Sequence, residues 1–327
     1  MSPVRHFLGL ATLLLLVSTS VAMAARIDPP SIALGRPTTS LVLARFKDVG
    51  PGDRLVFETE RTLRSEAAVP ALIDIAKPDL IEPPRVGERY VLAYTVVKSD
   101  ALKRTVANTR GAVFLATPGL EPALWKASAE IEALVTWTIG DEPAAMRAAL
   151  PRLLALLRSR DPRLQDFAAA ELAYRPALLR TLDAGEQRRL RHFVARPGGP
   201  SAARARLLLA ALQMPAHGRS QTSWDDEATR LLRAHRPADR IHTELVLDAF
   251  RFLESRDVAV PSSVVQPWLA SAEIALVEAA LASLRRHAPD SERDALGRAL
   301  QRADLPQATR AFLLTYRDRL DQRPPAS

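Results

Sequence analysis

The chain has 327 residues, 47% apolar and 25% charged, which excludes wholesale disorder and is long enough for two domains with cores of their own. Lys and Arg outnumber Asp and Glu by 45 to 37, a net charge of +8. The excess is dispersed among acidic residues and forms no basic stripe interleaved with aromatics, so no nucleic-acid partner is expected. Cysteine is absent, which rules out disulfides, thiol nucleophiles and acylation of an N-terminal Cys.

The first residues are different in kind from the rest. Arg5 supplies a positive start, residues 7–17 are an apolar run, and Ala22-Met23-Ala24 places small residues where a signal peptidase reads. A cleavable signal peptide over residues 1–24 is expected, with the cut after Ala24 or Ala25. The apolar run is shorter than the roughly 20 residues that a membrane span needs, so no transmembrane segment is expected after cleavage. An exported product, periplasmic or secreted, follows. The abundance of Arg over Lys, with much Ala and Leu, is the habit of a GC-rich Gram-negative bacterium.

Residues 30–126 read as a small β domain behind a Pro-rich entry, Asp28-Pro29-Pro30. Residues 40–46, 54–62, 71–75, 89–97 and 112–116 are short runs rich in Val, Leu, Ile and aromatics. Gly50-Pro51-Gly52-Asp53 marks a turn between the first two, and Glu82-Pro83-Pro84 with Gly87 a longer connection before the fourth. In the second run Leu55, Phe57 and Thr59 alternate with Val56 and Glu58, the pattern of a half-buried strand. A β-barrel or sandwich is expected. The segments Gly52-Asp53-Arg54-Leu55-Val56-Phe57 and Val86-Gly87-Glu88-Arg89-Tyr90-Val91-Leu92 resemble the strand pattern of netrin-like domains, which are OB-type barrels. That resemblance implies a barrel face able to take oligosaccharide or peptide. The protease inhibitors of that family act through an N-terminal Cys, which this chain lacks.

Residues 127–322 switch to helical periods, and 323–327 are expected to be a disordered tail. Ser128 is placed to cap a helix with Ile131, Leu134 and Val135 on its inner face. Gly140-Asp141-Glu142-Pro143 ends it and starts the next. Leu153, Leu154, Leu156 and Leu157 then form one apolar face. Asp161-Pro162 restarts a helix whose buried face is Leu164, Phe167, Ala168 and Leu172, because the Asp oxygen takes a free N–H and Pro has none to lose. This pair is too thin to bury its apolar side alone. Without gaps, Leu157, Ser159, Asp161, Leu164, Asp166, Ala168, Ala170 and Leu172 match Leu269, Ser271, Glu273, Leu276, Glu278, Ala280, Ala282 and Leu284. Fainter second helices are expected over 201–212, 240–252 and 306–316, with Leu172, Leu212, Phe252, Leu284 and Tyr316 as equivalent ends. Spacings of about 32–40 residues suit helix-pair repeats. Residues 151–173 resemble a HEAT repeat, which implies an all-α solenoid whose concave wall commonly binds proteins.

Signatures of catalysis are missing: there is no Gly-x-Ser-x-Gly elbow, phosphate loop, His-Glu-x-x-His or dinucleotide fingerprint. His235 and His242, near Asp239 and Glu244, could share a face only on one continuous helix, and Arg236-Pro237 interrupts it. His192 and His217 read as boundary or loop residues. Asp225-Asp226-Glu227 read as the acidic start of a helix, and Trp125, Trp137, Trp224 and Trp268 as core plugs, with Trp268 the most exposed. No catalytic, cofactor or metal residue is expected. The expected function is that of an exported, non-catalytic scaffold binding another envelope protein through the helical surface. The alternative is a carbohydrate or peptide binder, or a hydrolase, with its site on the β domain around Arg89, Tyr90 and Tyr94.

Overall fold

The computed structural model describes residues 27–78, 80, 82–96, 112–215, 220–238 and 242–322. The expected signal peptide and the expected disordered tail lie outside the described residues. Behind Asp28-Pro29 the chain forms a short helix, α1 (Pro30–Gly35), rather than a loop. Pro30 stands at its first position, where a missing N–H costs nothing. Ser31, Ala33 and Leu34 of α1 are buried.

The strands are β1 (Thr39–Gly50), β2 (Arg54–Arg64), β3 (Leu72–Ala76), β4 (Arg89–Val96), β5 (Ala112–Phe114) and β6 (Leu124–Lys126). They form one antiparallel sheet in the order β3-β2-β1-β4-β5, with β6 also paired to β4. At the β1–β2 turn Gly52 and Asp53 both have positive φ, 73° and 57°, a conformation that Gly and Asp adopt most readily among residues. Irregularities in the β1–β2 register at Leu41/Val42, Leu43/Ala44 and Phe46/Asp48 add local twist. The sheet curls until β3 and β5 lie within 8 Å, Cα to Cα, yet these end strands are not hydrogen-bonded among the described residues. The described strands therefore make a single curled, unclosed sheet. Among the described residues the expected barrel or sandwich is present only as this one open sheet.

Both faces of the sheet are covered, as β4 illustrates. Tyr90, Leu92 and Tyr94 point into the hollow of the curl with Phe46, Phe57, Ile75 and Phe114. Val91 and Ala93 point the other way, into a second core shared with Leu34, Trp125, Ile131, Leu134, Leu164 and Phe167. This second core joins sheet to helices without a break.

The helices that follow are α2 (Ala129–Val135), α3 (Pro143–Leu156), α4 (Pro162–Ala173), α5 (Pro176–Leu179), α6 (Ala184–Ala195), α7 (Ser201–Ala210), α8 (Ser220–Ala234), α9 (Thr243–Ser255), α10 (Ser262–Val265), α11 (Ile274–His287), α12 (Pro289–Leu300) and α13 (Gln307–Asp321). Ser128 caps α2 by accepting from the Ile131 N–H at 3.2 Å. Asp161 caps α4 by accepting from the Arg163 N–H at 2.9 Å. Each pair is followed by the next in space: α4 packs on α7, α7 on α9, α9 on α11 and α11 on α13, while α6 packs on α8 and α8 on α10. One apolar core runs from Ile139 to Leu320 through all of them. Among the described residues no helix is long and apolar enough to cross a membrane.

α4 is the hub. Besides the expected Leu164, Phe167, Ala168 and Leu172, it buries Gln165, Ala169, Ala170, Glu171 and Ala173. It touches α1, α3, α5 and α7, and contributes to both cores.

Three local expectations are corrected. Trp268, expected as the most exposed tryptophan, is 2% exposed, and its Nε1–H points at the Leu232 carbonyl. Trp137 is the half-buried one, with the Arg152 guanidinium 4.1 Å above its ring. The Asp225–Glu227 triplet does not open a helix, because α8 begins at Ser220. Asp225 instead holds Arg256 at 2.5 Å, and Glu227 pairs with Arg230 one turn on. Leu212, proposed as a repeat end, lies in a 3₁₀ turn and is 42% exposed.

Candidate functional site

Arg89, Tyr90 and Tyr94 are not gathered into one site. Alternation along β4 sends Tyr90 and Tyr94 into the hollow core, and Arg89 pairs with Glu60 on the other face at 2.7 Å. The Tyr90 hydroxyl accepts from the Arg85 N–H and donates to Glu88, and burial raises its pKa. Glu60 is held below the usual carboxylate range by Arg89 and Arg45.

His235 and His242 do come together, with ring centroids 4.3 Å apart, although α8 ends before Pro237 and α9 begins after it. The His242 Nδ1 shares a hydrogen bond of 2.6 Å with the Ser201 hydroxyl on α7. Asp239 and His217 lie outside the described residues, and Glu244 is exposed. Among the described residues no group of three or more His, Asp or Glu could hold a metal ion. His192 sits on α6, exposed, in its last turn.

Two polar groups carry no signature in the sequence. The first joins the two halves of the molecule. Glu171 on α4 is fully buried, and Arg175, just beyond the helix, is 3% exposed. The Glu171 carboxylate accepts from the Ser31 N–H at 2.9 Å, the Ser31 hydroxyl at 2.7 Å and Arg175 Nε at 2.5 Å. Arg175 further donates to Asp141 and to the Ile139 carbonyl. The buried charges are therefore paired and their hydrogen bonds filled, as burial requires. This is a clamp on α1 and not a ligand site.

The second lies on the wall formed by α4, α7 and α9. Arg206 of α7 is 3.5 Å from Asp166 of α4, and it also faces the Tyr174 hydroxyl. Desolvation lifts the Asp166 carboxyl to about 6, aided by the negative charge of Glu244 and opposed by Arg206. Asp166 and Arg206 are 40 residues apart, the separation expected from the sequence between Leu172 and Leu212, which is the one clue that could have paired them.

At the far end of the same row of helices, α11 and α13 splay into an open groove of about 560 Å³. Leu281, Phe312 and Tyr316 supply its apolar lining, and Glu278, Arg285 and Arg319 its charges. Arg285 and Glu292 both bond the Tyr316 hydroxyl, and the Arg285 guanidinium lies 5.2 Å from the Tyr316 ring centroid. Burial and the Glu292 bond raise the Tyr316 pKa. The groove offers apolar contact and positive charge.

Comparison of the chain with protein-family models, with curated proteins and with solved structures finds no match.

Proposed function

We propose that this chain is an exported, non-catalytic docking protein of the cell envelope, whose helical half is a HEAT-like α-solenoid that holds a partner protein. The observation that carries this reading is the spacing of side-chain contacts made at or just before the second helices. Asp166–Arg206, Ser201–His242 and Ser271–Thr309 are separated by 40, 41 and 38 residues. Contacts at a near-constant offset are what a one-dimensional stack of helix pairs produces, and such stacks expose a long wall suited to proteins. The Ser-x-acid turn supports the same reading: the Asp161 N–H donates to the Ser159 hydroxyl at 3.1 Å, and the Glu273 N–H to Ser271 at 3.1 Å. The signal-like residues before Ala25 support export, to the periplasm or beyond.

The rival reading, a carbohydrate or peptide site or a hydrolase centre around Arg89, Tyr90 and Tyr94, has less support, because both tyrosines face an internal core. Crosslinking in the native envelope followed by pulldown of the tagged protein tests the proposal. One reproducible protein partner is expected. Recovery of none, together with hydrolysis by the purified protein on a substrate panel, would overturn it.

A further inference from the structure

The first and fourth second-helices, with the turns before them, match at eight of sixteen aligned positions, yet one is covered and the other is not. Leu157, Leu164, Ala168 and Leu172 are buried, and so are their counterparts Leu269, Leu276, Ala280 and Leu284. Ala170 on α4 is buried because residues 117–121, Thr-Pro-Gly-Leu-Glu, run across it. At Gly119 an added Cβ would stand 2.8 Å from Ala170 Cβ and 2.7 Å from the Asp166 carbonyl oxygen. The next residue, Leu120, is buried in the second core, and Glu121 after it is exposed. On α11 the counterpart Ala282 is exposed and lines the open groove.

We propose that the groove between α11 and α13 receives a short extended segment of a partner protein, an apolar side chain closely followed by a carboxylate. It would cross Glu278 and Ala282 as residues 117–121 cross Asp166 and Ala170 on α4. This rests on the docking reading above and names the chemistry of what docks. Leu281, Phe312 and Tyr316 receive the apolar side chain. Charge complementarity selects the carboxylate: the groove's charged lining is two arginines, Arg285 and Arg319, against one acid, Glu278, and with Arg285 shared by Glu292 the exposed Arg319 is the cation left to pair with an incoming anion. Arg285 is already oriented by Tyr316. Arg319 is exposed and forms no ion pair among the described residues. The volume lies in the range of small-molecule clefts, about 300–1,000 Å³.

A random heptapeptide library displayed on phage and selected on the purified full chain tests this. The counter-targets are Ala282→Trp, which fills the groove from an exposed position, and Arg319→Glu, each checked for folding by circular dichroism. Enriched peptides are expected to carry an apolar residue followed within two positions by Asp or Glu. They should lose about tenfold or more in affinity on each variant, and a Lys in place of the peptide acid should recover binding to Arg319→Glu. A basic consensus, no enrichment, or selective binding of phosphatidylglycerol vesicles in place of peptides would overturn the proposal. Enriched peptides that bind Ala282→Trp as well as the original would also overturn it, while leaving a docking role on another face intact. Failure of the docking reading itself would appear separately, as absence of any envelope partner.

Discussion

At the scale of single residues, α4 carries two acids in different settings, Asp166 beside Arg206 and Glu171 in the clamp on α1. Asp166 is a partly desolvated carboxylate whose pKa is raised from 3.8 to about 6. The folded state thus holds this proton more tightly than the unfolded chain does. The group's contribution to stability is fully present in acid and is lost as pH rises from about 4 to 6. Asp166→Asn should therefore leave stability nearly unchanged at pH 3 and raise it by roughly 1–3 kcal/mol above pH 6. Urea denaturation across this range is the check, and a pH-independent difference would contradict the assignment. Glu171 is fully buried and accepts from the Ser31 N–H, the Ser31 hydroxyl and the Arg175 guanidinium. Glu171→Gln leaves Arg175 buried with a weakened partner and should cost about 3 kcal/mol. If equilibrium unfolding showed a loss below about 1 kcal/mol, the clamp would be no more than a surface-like pair.

At the scale of elements, α4 and the 117–121 loop hold sheet and helices together. Gly119 has φ +82°, and any Cβ there meets α4 at under 3 Å. Gly52 also has positive φ, +73°, but a Cβ there meets nothing within 4 Å. Gly52→Ala should thus cost about 1 kcal/mol, the backbone penalty alone. Gly119→Ala should cost roughly 2–4 kcal/mol, because a steric clash with α4 is added. Equal losses in the two variants would mean that the loop does not press on α4.

Much at this scale was legible in the sequence, and the exceptions have physical causes. The first five strands are marked by runs rich in Val, Leu, Ile and aromatics and by Gly-Pro turns, and Asp161 declares its cap because capping is a local interaction. β6 is three residues long, Leu124–Lys126, and owes its existence to pairing with β4, which no local pattern announces. α1 was hidden by the prolines that in fact start it. The burial of Trp268 is not legible locally, because the Leu232 carbonyl that receives its N–H is 36 residues away. The groove was beyond reach for a similar reason. Ala170 and Ala282 read alike in the chain, and only the loop folded over one of them distinguishes the two.

At the scale of the whole molecule, the sheet caps one end of the helix row through the core shared by Trp125, Ile131 and Phe167. At the other end α13 packs only on α11 and α12 among the described residues, as far as the closer element contacts go. A row held by neighbour contacts is strongest where each helix has partners on both sides and weakest at an uncapped end. Native-state hydrogen exchange read by mass spectrometry tests this directly. Protection should be greatest in α4, α7 and α9 and fall stepwise through α11 to α13. A single exchange free energy shared by all helices would contradict the account, since it would mean one closed cooperative core in place of the proposed stack of helix pairs.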